Sequence, residues 1–543
     1  MDKQWWQSAV IYQIYPKSFQ DTNGDGIGDI QGIIQHLDYL KELSVDAIWI
    51  SPIYKSPQVD SGYDISDYQD IDPIFGNMND MDQLIKEAKK RNICIIMDLV
   101  LNHCSDQHKW FIEAKKSKDN PYHDYFIWRD GVKGTPPNEM LAYFGGSAWE
   151  WVPELGQYYF HLFTPQQPDL NWHNPKVREE LYSMIRWWMD KGIGGFRLDV
   201  IDLIAKVPDL KIAQNGPLLH DYVRELSKNT FQTGENIVTV GEAGNTGVEG
   251  ALLFSNPNGS ELSMVFQFEH MDMDHNKVNQ INWMIDFDLV KLKKILSKWQ
   301  NQLENRGWNS LFLANHDQPR IVSRWGNDKE YREASAKMFA VMLHGMQGTP
   351  FIYQGEELGM TNYPFKSIDE CEDIAAINLY ERMLKAGYSN EDAMELIRKD
   401  GRDNARTPMQ WNTNSNAGFT EEKPWLAVNP NYKEINAKEQ VNNPNSIYYF
   451  YRKLIRLRKE YSIFTDGSYR LLDAENPNSY SYIRETKNDE MYVVCSFSDK
   501  VIPLDIPETF RHDAKILIAN YDTNINTDKE LQPFEARIYY RKK

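Results

Sequence analysis

Apolar runs of strand length recur along the chain, and stretches of helical period lie between them. The runs are AVIYQIYP at 9–16, AIWISP at 47–52, ICIIMDLVLNH at 93–103 and GGFRLDVI at 194–201. IVTVGEA at 237–243, ELSMVFQFEH at 261–270, NSLFLANHD at 309–317 and TPFIYQGEE at 349–357 follow. Short continuous apolar runs of this kind read as buried strands. Ahead of the fourth run, Leu181, Met184, Ile185 and Trp188 form an i, i+3, i+4, i+7 stripe that Gly192 ends. Eight buried strands alternating with helices predict an α/β fold, a (β/α)8 TIM barrel.

One connection is too long for a simple loop. Residues 104–172 hold 15 aromatics in 69 positions, which predicts an inserted subdomain after strand 3, walling one side of a cleft. Past residue 466 the pattern becomes strand-like alternation with turns, in SYSYIRE at 479–485, MYVVCSFS at 491–498 and ARIYYRKK at 536–543. The expected division is a catalytic barrel over 1–103 and 173–465, the insertion at 104–172, and a C-terminal antiparallel β-sandwich domain at 466–543.

Most of the eight runs turn polar at their C-terminal end: Asn102-His103, Arg197-Asp199, Glu242, Glu269-His270, His316-Asp317 and Glu356-Glu357. In a barrel of this type those ends form the catalytic face. Arg197 and Asp199 share one face of their strand, because the strand period is two. A buried charge is costly unless paired. A barrel-mouth ion pair and an active site look alike at this scale, and the acids at matching strand ends favour the second. Strand ends converge on the axis, so Asp199, Glu242 and Asp317 can share a pocket. A retaining glycosidase needs a nucleophilic carboxylate and an acid/base carboxyl about 5–5.5 Å apart. Arg197 is expected to lower the pKa of Asp199 and keep it charged for attack. Burial among carboxylates is expected to raise Glu242, so that it holds a proton. His103 and His316 are far apart and no HExxH spacing occurs, so no catalytic metal or other catalytic cofactor is expected.

A second motif, DTNGDGIGD at 21–29, places side-chain oxygens of Asp21, Asn23, Asp25 and Asp29 at positions 1, 3, 5 and 9, with the Ile27 carbonyl at 7. This is the first part of an EF-hand-like calcium loop, with Gly32 where the twelfth-position Glu would stand. A structural calcium ion is expected, with magnesium as the alternative ion and a metal-free Asp/Gly turn as the alternative reading. The net charge of −18 argues against nucleic-acid and anionic-membrane partners. No apolar stretch is long enough to span a membrane, and MDKQWWQSAV does not read as a secretory signal. Cys94, Cys104, Cys371 and Cys495 form no CxxC pair, which fits a reducing cytoplasm.

These motifs resemble those of the α-amylase superfamily, glycoside hydrolase family 13, in its oligo-1,6-glucosidase and dextran glucosidase branch. DLVLNH at 98–103, GFRLDV at 195–200, VGEA at 240–243 and ANHDQPR at 314–320 look like the four family regions, and QPDLNW at 167–172 like the branch motif. The resemblance implies Asp199 as nucleophile, Glu242 as acid/base and Asp317 as the residue that holds sugar hydroxyls and stabilises the oxocarbenium-like transition state. It places His103, Arg197 and His316 around the same glucose. It also implies that Asp60 and Tyr63 in DSGYD, with Arg402 in GRDNARTPMQW, close the pocket, and that Phe163 and Gln167 form further wall. A closed pocket implies removal of one glucose at a time. Val200, after the nucleophile, goes with α-1,6 linkages in similar family members. The loop at 21–29 matches the family's calcium loop.

The activity so implied is a retaining exo-α-glucosidase. It would hydrolyse α-1,6 bonds at the non-reducing end of isomaltooligosaccharides, panose or dextran, as a cytoplasmic monomer. Three alternatives share the catalytic trio: a trehalose-6-phosphate hydrolase, an α-1,4-glucosidase and a sucrose-isomerising transglucosylase. The phosphate hydrolase needs a basic leaving-group pocket, and Lys277 alone stands near it in the sequence. One departure concerns the leaving sugar: after Glu242 come Ala243 and Gly244, where relatives carry larger residues.

Overall fold

The computed structural model describes residues 3–278, 281–523 and 529–543. Eight parallel strands form its centre: β1 (Ile11–Ile14), β2 (Ala47–Ile50), β3 (Cys94–Val100), β4 (Gly195–Asp199), β5 (Val238–Glu242), β6 (Met264–Phe266), β7 (Ser310–Leu311) and β8 (Thr349–Tyr353). Each falls inside one of the eight apolar runs. Their order is β6-β5-β4-β3-β2-β1-β8-β7, and a parallel bridge between Val265 and Asn309 joins the two ends into a closed barrel. Every strand residue except Cys94 is buried, which requires cover on both faces. Helix α1 (Pro175–Asp190) supplies part of that cover with the stripe read from the sequence, and Asn174 caps it by accepting from the Lys176 N–H.

The strands are shorter than the runs. β4 stops at Asp199, and Val200 adopts φ 36° and ψ 46°, so it is not the strand residue the run implied. A left-handed backbone is costly for a β-branched side chain and is kept only where its surroundings over-determine it. β6 and β7 likewise end before the polar tails of their runs, which puts those side chains in loops at the barrel mouth.

Between β3 and α1 the chain forms a helix, Lys109–Ala114, and a three-stranded antiparallel sheet with Gln157–Phe160 at its centre. Trp149, Tyr158, Phe160 and Leu162 make a small core there, and Phe163 and Val200 pack against it. The insertion is therefore tied to the barrel at the residue after Asp199.

The C-terminal region is a five-stranded antiparallel sheet: β9 (Ser468–Leu472), β10 (Ser479–Glu485), β11 (Asp489–Ser496), β12 (Lys515–Ala519) and β13 (Ala536–Lys542), in the order β9-β10-β11-β13-β12. One face meets barrel helices α2 (Leu289–Leu303) and α3 (Arg332–His344). Arg484 donates to the carbonyls of Gly345 at 2.7 Å and Gly467 at 2.6 Å. The buried Lys293 ammonium reaches the carbonyls of Asp473, Asn476 and Ser479 at 2.7, 2.7 and 3.1 Å. Ammonium–carbonyl bonds out of water are worth more than neutral ones. Lys293→Met should lower stability by about 2–4 kcal/mol, read as an earlier guanidinium midpoint. An unchanged midpoint would show that apolar packing alone holds the sheet.

Candidate active site

Arg197 organises the mouth of the barrel. Its side chain is 2% exposed, and three carboxylates surround it. Nη1 donates to Asp98 Oδ1 at 2.8 Å and to Asp199 Oδ1 at 2.7 Å, and Nη2 to Glu242 Oε2 at 2.5 Å. The register explains the meeting. Asp98 on β3 lies opposite Arg197 on β4, and Glu242 ends the neighbouring β5. The guanidinium lies over Trp49, whose indole N–H donates to Asp98 Oδ2 at 3.1 Å. Phe266, Phe312 and Phe351 pack with Trp49 to fill the barrel axis. Oxygens bound to the two η nitrogens of one guanidinium cannot be far apart. A shared guanidinium keeps the two carboxyls within reach of one bound sugar, as a pair of glycosidase acids requires.

Asp317 stands on the open side, 29% exposed against 8% for Asp199 and 11% for Glu242. Arg406 holds its Oδ1 at 2.6 Å and Arg402 at 3.2 Å. Arg402 also reaches Asp373 at 2.5 Å and Asp60 at 3.3 Å. Gln167 donates to Asp60 at 3.1 Å and meets His103 Nε2 at 3.2 Å. The Tyr63 hydroxyl touches His316 Nε2 at 2.7 Å and donates to Asp98 at 3.1 Å, while its ring stacks on the imidazole. Gln13 donates to His316 Nδ1 at 2.8 Å, so Nε2 carries the hydrogen and faces Tyr63 and Asp317. Phe163 packs against His103 with ring centres 5.0 Å apart. The structure thus brings Asp60, Tyr63, His103, Phe163, Gln167, Arg197, Asp199, Glu242, His316, Asp317 and Arg402 to one mouth, with Val200 at its edge.

Burial lowers His103 to about 4 and His316 to about 3, which leaves both imidazoles neutral. Burial also pushes Asp98 and Asp60 up to about 6, against the pull of Arg197 on the first and Arg402 on the second. Burial opposes ionisation of Asp317, but His316, Arg402 and Arg406 together outweigh it and hold that carboxyl well below the usual range. The reading of Arg197 needs correction. Burial raises Asp199 well above the ordinary carboxylate range; Arg197 pulls it down, but Glu242 and Asp98 push it further up. One cation cannot neutralise three buried carboxylates, and the repulsion that remains opposes ionisation of Asp199.

Other strand-end groups turn away. Glu269 pairs with Lys298 and the Trp299 N–H on α2, and His270 meets the Phe312 carbonyl. Glu357 accepts from Tyr12 and Tyr39, and Glu356 from the Tyr353 N–H. A Cβ on Gly244 would sit 2.9 Å from the Phe268 ring, so a larger residue there would have to displace that ring. Asp98, Gln13, Asp373 and Arg406 are site residues that the sequence reading passed over. Asp98 and Gln13 are polar breaks inside apolar runs, and Arg406 lies four residues after Arg402 on the same helical side.

A model of the alpha amylase catalytic domain matches residues 13–467. The chain belongs to the α-amylase family. It is 50% identical to an oligo-1,6-glucosidase of Parageobacillus thermoglucosidasius and 51% identical to a glucan 1,6-alpha-glucosidase of Streptococcus pneumoniae, each match spanning 99% of both chains. It also superposes on the crystal structure of a Bacillus licheniformis trehalose-6-phosphate hydrolase with a TM-score of 0.94, at 46% identity over 100% of both chains. This α-amylase-family chain is a glycoside hydrolase of the glucosidase type.

Beside Asp317, this family member has a cavity of about 370 Å3. Its lining carries Asp272, Asp317, Asp373 and Asp400 against Lys277, Arg382, Arg402 and His275, an even balance when the imidazole is charged. His275, on the hairpin that edges the cavity, contacts Asp274 at 3.1 Å and Asp400 at 3.0 Å. Burial disfavours its charged form, but Asp274 and Asp400 outweigh burial and raise it to about 9. A raised folded-state pKa stabilises fully below the unfolded value of about 6.5 and is lost as pH rises through the folded one. The melting temperature of wild type should therefore exceed that of His275→Gln at pH 6.5, with the gap closing towards pH 9.5. A gap that does not change with pH would show that His275 is not charged in the clamp.

Proposed function

We propose that the chain is a retaining exo-α-glucosidase that cleaves terminal α-1,6-linked glucose from isomaltooligosaccharides, panose or dextran. The observation that carries this reading is the pairing of Asp199 and Glu242 on one guanidinium, at the bottom of a pocket that Asp60, Gln167 and Arg402 close. A closed end admits one glucose, so cleavage proceeds from a chain terminus. A retaining enzyme of this kind uses one of the two carboxyls as proton donor and the other as nucleophile, and the family resemblance gives those roles to Glu242 and Asp199. Asp199 attacks the anomeric carbon while Glu242 Oε1 gives its proton to the departing oxygen. Glu242 then takes a proton from the water that releases α-glucose. Asp317, held ionised by Arg402 and Arg406, accepts from sugar hydroxyls and stabilises the positive charge of the transition state. Four unpaired cysteines fit a cytoplasmic setting.

The α-1,6 preference rests on Val200 and on the full-length likeness to oligo-1,6-glucosidases. Glucose release from isomaltose, panose and dextran should exceed that from maltose, sucrose and trehalose-6-phosphate, and Asp199→Asn should lose about three orders of magnitude or more. Dominant release from trehalose-6-phosphate or maltose would overturn the linkage reading while leaving the dyad in place.

For the loop at 21–29 we propose a structural calcium or magnesium ion on Asp21, Asn23, Asp25, Asp29 and the Ile27 carbonyl. All-oxygen donors suit a hard cation, and Gly24 and Gly26 take positive φ to wrap the chain around Asp21. Among the described residues no three His, Cys, Asp or Glu side chains converge, and Asp29 is engaged by Thr22 and the Gly32 N–H, so binding would have to draw Asp21, Asp25 and Asp29 together around the ion. Chelator should lower the melting temperature and calcium restore it; equal melting in both would leave the loop as a metal-free turn.

A further inference from the structure

Asp202 is a buried acid, 2% exposed, with no cation against it among the described ion pairs. It lies three residues after Asp199, on the single turn Ile201–Leu203. Its Oδ2 accepts twice from Asn245, which lies three residues after Glu242: from the main-chain N–H at 3.1 Å and from Nδ2 at 3.3 Å. Asn215 completes a ring. Its N–H donates to the Asp202 carbonyl at 2.8 Å and its Nδ2 to the Asn245 carbonyl at 3.0 Å, while its Oδ1 accepts from the Thr246 hydroxyl at 3.0 Å. The other tie between the two loops is the Val200 N–H, which donates to Glu242 Oε2 at 3.1 Å.

We infer that Asp202, through Asn245, is a positioning residue for the proton donor, holding the segment after Glu242 in register with the nucleophile loop. An apolar core would join these loops at lower cost than a buried carboxyl, which must be desolvated without a counter-ion. What the carboxyl adds is direction, because it fixes both the backbone and the side chain of Asn245. It is a second anchor, beside the β5 strand, for the turn that leaves Glu242. Burial, resisted by the Asn245 bonds, raises its carboxyl to about 7, so the ring works with Asp202 neutral or charged as long as Oδ2 accepts. Asparagine at 202 offers the same acceptor oxygen. Because Glu242 supplies the proton to the leaving oxygen, a misplaced Glu242 harms poor leaving groups most.

This inference rests on Glu242 being the acid. The test compares kcat/KM for isomaltose, whose leaving group needs a proton, with 4-nitrophenyl α-glucoside, whose leaving group does not. Asp202→Ala should lose at least about tenfold on isomaltose and less than about threefold on the aryl glucoside. Asp202→Asn should restore the isomaltose rate. Asn245→Ala removes the same contact from the other loop and should repeat the split if Asp202→Ala does not fold. Equal losses on both substrates, or none on either, would reduce the ring to packing and overturn the inference. Glu242→Gln serves as the reference: if it shows no split, the acid assignment fails; if it shows the split and the ring variants do not, the positioning role fails.

Discussion

The site depends on one buried guanidinium held between carboxylates of three different strands. Arg197 cannot be inside the barrel unpaired, and Asp98, Asp199 and Glu242 cannot be there without it. The pairing is strongest where all water is gone, and the aromatic plug of Trp49, Phe266, Phe312 and Phe351 removes it from below. The residues below Arg197 are thus chosen for exclusion of water and those around it for charge. Removing the cation would leave three buried acids without a counter-ion, so the fold at this point and the chemistry at this point are one requirement.

The excess of acid over base is the functional consequence. With one cation among three carboxylates, burial and mutual repulsion oppose ionisation of Asp199, and glycoside cleavage needs a carboxyl that holds a proton beside a carboxylate that does not. Asp317 is treated oppositely. It faces Arg402 and Arg406 and is held ionised, as suits a group that meets positive charge in the transition state. The same residue types therefore take different protonation states according to how many guanidinium groups each can reach. Arg402 links the two arrangements, because it also holds Asp60 at the closed end of the pocket.

Much of the site was legible because its residues break local patterns. Acids and imidazoles at the ends of apolar runs stand out in a barrel, and four such breaks in order are specific. The same rule over-reached at Glu269, His270, Glu356 and Glu357, which sit at strand ends but find partners in helices and neighbouring backbone. It under-reached at Asp98 and Gln13. They lie one or two turns of the strand deeper, where a polar residue in a run reads as noise until its cross-strand neighbour is known. Asp98 matters because β3 and β4 pair in the register that sets it opposite Arg197.

By itself the sequence determined the barrel, the polar mouth and the candidate acids at it, because strand and helix periods are local and the motifs lie within single loops. Tertiary structure alone decided who meets whom. Register placed Asp98 against Arg197, and two segments more than two hundred residues apart brought Arg402 to Asp60. Tertiary contacts also decided that Val200 leaves the strand in a left-handed turn, against the β-branched preference that the run displayed. The sign of the shift at Asp199 belongs to the same class. A neighbour two residues away predicts a lowered pKa, but desolvation and charges from two other strands raise it, and those depend on the closed barrel.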